Sequence, residues 1–206
     1  MSVYPSLVTV VLFSLFLTGS EAPSTSYCLE VNDGSRLYLK GSSNVNRFTC
    51  DCESMDQLPP LQLNMQSLEH RQGAYFENAR IDIRTRTLDC GHRGINRDLY
   101  ESLKAQHHPH ISLALEEVRW TADNPLGSTD NWQWLTACAE LTVAGVSREV
   151  DLKVQARRLA HKTYRFVCEH RIRMTDFNVT PPTAMFGAVK VDNEVDIHFD
   201  LIVQAD

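Results

Sequence analysis

Apolar and polar residues alternate along short runs of this chain, and that alternation constrains its fold more than any other feature. Leu37 and Leu39 alternate with Arg36, Tyr38 and Lys40, and Leu61, Leu63 and Met65 with Gln62 and Asn64. Ala79, Ile81 and Ile83 alternate with Arg80, Asp82 and Arg84. The same period runs through Ile111, Leu113 and Leu115, through Leu135, Ala137, Ala139, Leu141 and Val143, and through Val150, Leu152, Val154 and Ala156. Phe166, Cys168, His170 and Ile172 continue it, and Val195, Ile197, Phe199, Leu201 and Val203 close it. An extended chain turns successive side chains to opposite faces, so each run has one apolar face and one wet face. Turn-forming residues separate the runs: Asn32-Asp33-Gly34, Gly145 and Asp192-Asn193. An all-β, antiparallel sandwich or barrel of roughly eight strands is the expectation.

One segment departs from period two. Asn96 to Ala105 places Leu99 and Leu103 four apart, which predicts a short helix, with Pro109 stopping it. Thr121 to Asn131 reads as a loop. No linker or repeat divides the chain, and its 206 residues suffice for one core, so a single domain is expected over Tyr27–Asp206.

The amino end has its own pattern. Leu7 to Leu17 is almost wholly apolar, small residues follow it, and the first basic residue of the chain is Arg36. A run this short cannot cross a bilayer, which takes about 20 residues. It fits the apolar region of a secretory leader occupying residues 1–26, with cleavage between Gly19 and Ser26. A periplasmic or secreted protein is expected. Six cysteines follow: Cys28, Cys50, Cys52, Cys90, Cys138 and Cys168. An even count in an oxidising compartment favours disulfides, but sequence does not choose the partners. Only a Cys50–Cys52 bridge is disfavoured, because two residues apart on a strand lie too far apart to close it.

Charge and motifs narrow the function. With a net charge of -6, the chain lacks the excess of Lys and Arg that phosphate contacts need, so nucleic acid is not expected as a partner. No Gly-x-Ser-x-Gly, His-Glu-x-x-His or phosphate-cradling glycine loop occurs, and no enzymatic activity is expected. Asp82, Glu116, Glu117, Asp176 and Asp196 fall in wet-face or turn phase, where a carboxylate is ordinary. His107-His108-Pro109-His110 reads as a solvated loop. Cys50, Cys52, Cys168 and His170 would have the ligand types of a zinc site if their strands met, but thiols in an oxidising compartment pair instead, so neither metal nor cofactor is expected. Arg148, Arg157, Arg158, Lys162, Arg165, Arg171 and Arg173 make the late strands locally basic, a surface suited to anionic headgroups or a protein partner. Trp120, Trp132 and Trp134 flank the long loop and are expected to cap one barrel end.

The decisive question is what the apolar faces enclose. In a barrel they either fill the interior or line a slot for one apolar ligand, and periodicity does not separate these cases.

Leu141-Thr142-Val143-Ala144-Gly145-Val146-Ser147-Arg148-Glu149-Val150-Asp151-Leu152 resembles a strand, turn and strand segment of the YceI-like family of exported lipid-binding proteins. Gly41-Ser42-Ser43-Asn44-Val45-Asn46-Arg47-Phe48 is similar to the family's early Gly-Ser-x-Val-x-x-Phe stretch. The helix before Pro109-His110-Ile111, with its Asn96-Arg97-Asp98, and the late Met174-Thr175-Asp176-Phe177 follow the family's order. The resemblance covers nearly the whole chain after the leader; the cysteines are not part of the general pattern. It implies a lipocalin-like antiparallel barrel holding a long-chain apolar lipid, polyisoprenoid or quinone-like, with transient contact at a membrane surface. By phase, the lining candidates are then Phe48, Ile81, Ile83, Leu113, Leu115, Leu141, Val154, Phe166, Ile197, Phe199 and Leu201.

Overall fold

The computed structural model describes residues 24–53, 55–68, 72–121 and 131–206. The expected leader therefore lies almost wholly outside the described residues, as does most of the loop after Trp120. Strands β1 (Ser24–Val31), β2 (Arg36–Ser42), β3 (Arg47–Cys52), β4 (Leu61–Ser67) and β5 (Gly73–Glu77) come first. Then follow β6 (Arg80–Arg84), the two-residue β7 (Leu88–Asp89), helix α1 (Arg93–Ser102) and β8 (His110–Trp120). The second half contains β9 (Gln133–Val143), β10 (Val146–Ala160), β11 (Thr163–Arg173), the small hairpin β12 (Thr183–Ala184) and β13 (Val189–Lys190), and β14 (Glu194–Ala205). Every alternating run of the sequence lies on one of these strands, save that Ala79 falls one residue before β6. β1 extends through Ser24, Thr25 and Ser26, which pair with Gln66, Met65 and Asn64.

All pairings are antiparallel, and the order β1-β4-β5-β8-β9-β10-β11-β14 returns to β1, closing a ring of eight strands. The long strands β8, β9, β10, β11 and β14 form one continuous wall. At one end β1, β4 and β5 complete the ring. Toward the other end β14 pairs with β2 through Asp196–Asp200, β2 with β3, and β3 with β7. β6 pairs with β8 over His110–Ala114, beside the stretch of β8 that pairs with β5. The barrel thus has two halves that share a wall and are closed by different short strands.

The alternation maps directly onto burial. On β9, Leu135, Ala137, Ala139, Leu141 and Val143 are buried, while the residues between them are more exposed. One half is packed solid: Val118, Leu135, Ala137, Ala139, Leu152, Val154, Ala156 and Cys168 form a buried cluster with Phe76, Trp120 and Phe166 against it. A second cluster, centred on Leu88, Leu103, Leu141, Val143, Met174, Phe177 and Val179, seals the far end.

Helix α1 begins three residues earlier than the sequence suggests and ends at Ser102, well before Pro109. His92 caps it, its Nδ1 accepting from the Gly94 N–H at 3.1 Å, and Lys104 ends it by turning into the left-handed region at φ 52°. Leu103, the residue after the helix, belongs to the second cluster, and Leu99 packs against it.

The β9–β10 turn has Ala144 and Gly145 at φ 51° and 80°, the pairing of positive values a two-residue hairpin needs. A Cβ on Gly145 would lie 2.3 Å from the His108 ring. His108 therefore packs over the turn instead of standing in a free histidine cluster. Gly145→Ala should cost about 1–2 kcal/mol for the left-handed backbone, plus the displacement of the His108 ring. In a His108→Ala background only the backbone part should remain, as read by chemical denaturation; equal losses in both backgrounds would refute the contact.

Candidate functional site

The half of the barrel closed by β2, β3 and β6 is hollow. A cavity of about 260 Å³ lies between those strands, the shared wall and α1. Each wall strand contributes its inward phase: Leu37 and Leu39 from β2, Ile81 and Ile83 from β6, Ile111 and Leu113 from β8, and Val195, Ile197, Phe199 and Leu201 from β14. Leu141 and Val143 come from β9, Val150 and Leu152 from β10, and Ile172 from β11. Ile95 and Leu99 of α1, with Leu103 just after it, cover one side, and Met174, Phe177 and Val179 close the end.

Of the sequence-predicted lining residues, Phe48, Ile81, Ile83, Leu113, Leu141, Ile197, Phe199 and Leu201 border this cavity. Leu115, Val154 and Phe166 do not; they pack into the solid half. Strand phase identifies an inward residue, but height along the barrel decides whether it meets a void. Phe48 also covers Gly41 across the β2–β3 ladder, where a Cβ would lie 2.4 Å from the ring. The residues from α1 and from Met174–Val179 carry no period-two signal and were not legible as lining. The nearest hint was the Leu99/Leu103 spacing.

The helix is held over the cavity by a small polar knot. Asn96 donates to Asp89 at 2.6 Å and accepts from the Cys90 N–H at 2.8 Å, and the Asn96 bond holds the Asp89 carboxyl below the usual carboxylate range. Tyr100 donates to the Leu88 carbonyl at 2.7 Å. Cys50 and Cys90 form a disulfide that joins β3 to the approach of α1 and itself borders the cavity. Cys28, Cys52, Cys138 and Cys168 form no disulfide among the described residues, and Cys52 shares a hydrogen bond with Thr87 instead, so the even count does not translate into three bridges. Cys168 is buried, and burial pushes its thiol up to about 11, leaving it protonated and unreactive.

With Cys50 bridged to Cys90, the four-residue set considered for zinc lacks one thiolate, and no metal-holding cluster occurs among the described residues. Two of the carboxylates weighed as acids or bases, Asp82 and Asp196, are held by arginines. Asp82 accepts from Ser112 and from Arg80, and Asp196 from Arg171 at 2.6 Å. Two cations of the basic stretch are paired with carboxylates. Arg165 pairs with Asp200 through two bonds at 2.7 and 2.5 Å, and Arg171 pairs with Asp196 and Glu194. Arg157 stacks its guanidinium 4.7 Å from the Trp132 ring centre. Trp132 and Trp134 are exposed, Trp132 lying under Arg157 and Arg165, whereas Trp120 packs against the interior cluster. Sequence shows the cations, but only strand register places β14's carboxylates beside them.

No helix among the described residues is long and apolar enough to cross a membrane. No curated protein matches the chain. Solved structures share its fold, two of them over most of both chains. The Burkholderia cenocepacia protein BcnA is 16% identical, with a TM-score of 0.61 over 84% of this chain and 99% of its own. A polyisoprenoid binding domain from Saccharophagus degradans, described as implicated in plant cell wall breakdown, is 14% identical. Its TM-score is 0.60, over 87% of this chain and 98% of its own. The YceI-like domain model matches residues 48–203, a span that takes in the disulfide, the helix and the cavity wall from β3 to β14. The closed antiparallel ring with an apolar interior and this match agree: the chain belongs to the YceI-like family.

Proposed function

We propose that this protein is an exported binding protein that holds one long, apolar, isoprenoid-type lipid inside its barrel, as a carrier or sequestering agent with no chemistry of its own. The observation that carries the reading is the cavity: about 260 Å³ of space whose wall is almost entirely aliphatic and aromatic. An empty apolar cavity forfeits dispersion contacts that a hydrocarbon chain restores. Each methylene transferred from water contributes roughly 0.8 kcal/mol, so such a chain binds with few polar contacts. Family membership supports lipid binding in general, and the relative from Saccharophagus degradans is described as binding polyisoprenoid. The alternative, a filled barrel acting only through its surface, is at odds with the cavity.

Export accords with a disulfide, which persists in oxidising compartments. Since β1 engages Ser24, a leader would be cleaved before that residue. Contact with a membrane surface accords with the end of the cavity, where Ser43, Asn46, Thr183 and Val189 border it. The two turns there expose Val45 and Phe186 to solvent. These tips would enter a bilayer while the lipid passes.

Solvent extraction of the purified protein followed by mass spectrometry tests the reading. A stoichiometric long-chain isoprenoid lipid is expected. Finding no lipid in the extract, together with no uptake of polyprenol from vesicles, would end it.

A further inference from the structure

Among the described residues two polar side chains that border the cavity have no protein partner: Thr183, exposed at the cavity's end, and His170, half-buried on the long-stranded wall. On β11 the inward phase runs Phe166, Cys168, His170, Ile172, and His170 borders the cavity. Its cross-strand neighbour on β14 is Ile197, and Leu152 of β10 borders the same space. No hydrogen bond or ion pair holds either ring nitrogen among the described residues. The other polar groups around the cavity are differently placed. Ser43 donates to Asn46 within their own turn at 3.0 Å, and Asp98 pairs with Arg97 at 3.1 Å on the helix.

We propose that His170 is the specificity-determining residue of the cavity, selecting an apolar ligand that carries one uncharged hydrogen-bonding group, such as an alcohol, phenol or ketone. The inference rests on the lipid-binding reading and adds where the ligand's polar group sits. A neutral imidazole has one N–H donor and one acceptor nitrogen, so it serves a carbonyl or a hydroxyl equally. Burial among apolar groups lowers the His170 pKa, which keeps the ring neutral at pH 7. Anionic headgroups are disfavoured for a second reason. The lining holds no Lys or Arg, and its only carboxylate, Asp98, would repel an acid or a phosphate. A pure hydrocarbon would enter, but it would strand the imidazole without a partner once water was displaced.

Farnesene, farnesol and farnesoic acid share one hydrocarbon skeleton and separate these cases. At pH 7 farnesol should bind the protein at least about tenfold more tightly than either of the others, the size of one satisfied buried hydrogen bond. In His170→Leu the farnesol affinity should fall to that of farnesene, while farnesene binding holds or improves. His170→Gln, which keeps a donor and an acceptor, should retain most of the preference. Equal binding of farnesol and farnesene by the native protein, or an unchanged preference in His170→Leu, would overturn the assignment while leaving lipid binding intact. Failure of both farnesol and farnesene to bind would overturn the lipid reading and this inference together.

Discussion

Removing the Cys50–Cys90 bridge should destabilise the protein by about 4 kcal/mol. The bond joins residues separated by 40 positions, and closing a loop of that length removes roughly that much chain entropy from the unfolded state. The enclosed segment contains β4, β5, β6 and β7, so the bridge restrains three of the strands that complete the barrel and the approach to α1. Cys50 is 1% exposed, and the Cys50→Ala, Cys90→Ala double variant also leaves a small void beside the cavity. Urea denaturation of the native protein, with and without dithiothreitol, against the double variant provides the measurement. Reductant should bring the native protein down to the variant and leave the variant unmoved. A loss under about 1 kcal/mol would mean that the unfolded chain is already compact around these residues.

The second large effect concerns space. Ile197 lies opposite Leu39 and His170 in the middle of the hollow half. Ile197→Trp should fill the void and weaken binding of a long-chain lipid about 50-fold, the equivalent of displacing roughly three methylenes from the cavity. Thermal stability should hold or rise, because the larger side chain enters existing space. Val154→Trp provides the contrast. Val154 faces the same interior in the solid half, where added volume has nowhere to go, and overpacking should cost about 1–3 kcal/mol or more. Lipid uptake and melting curves of both variants decide the matter. Similar destabilisation by the two substitutions would mean that the Ile197 region has no usable volume, and the carrier reading would fall with it.

Much of the fold was legible because alternation is a local property. Residues such as Leu135, Ala137 and Ala139 need only be extended for their shared face to be defined, and that face is the one buried here. β1 and β5 were less visible: the inward and outward residues of β1 are both partly exposed, and β5 is short. The helix was legible from Leu99 and Leu103, but its ends depended on His92 as a cap and on the left-handed turn at Lys104. Among the lining candidates, Phe48 and Ile197 meet the void while Val154 and Phe166 meet other side chains. All four have the same phase, and nothing local distinguishes them.

The amino-acid order by itself determined that the chain forms antiparallel strands, which side of each strand turns inward, and that this inner side is apolar with His170 among its members. Three-dimensional closure decided the rest. Different short strands complete the two ends of one long-stranded wall, so one half closes on its own side chains and the other encloses empty space. Which cysteines bond, which arginines find carboxylates, and where a cavity opens all depend on residues far apart in the chain meeting at a distance of a few ångströms. Periodicity along a strand carries no information about that distance.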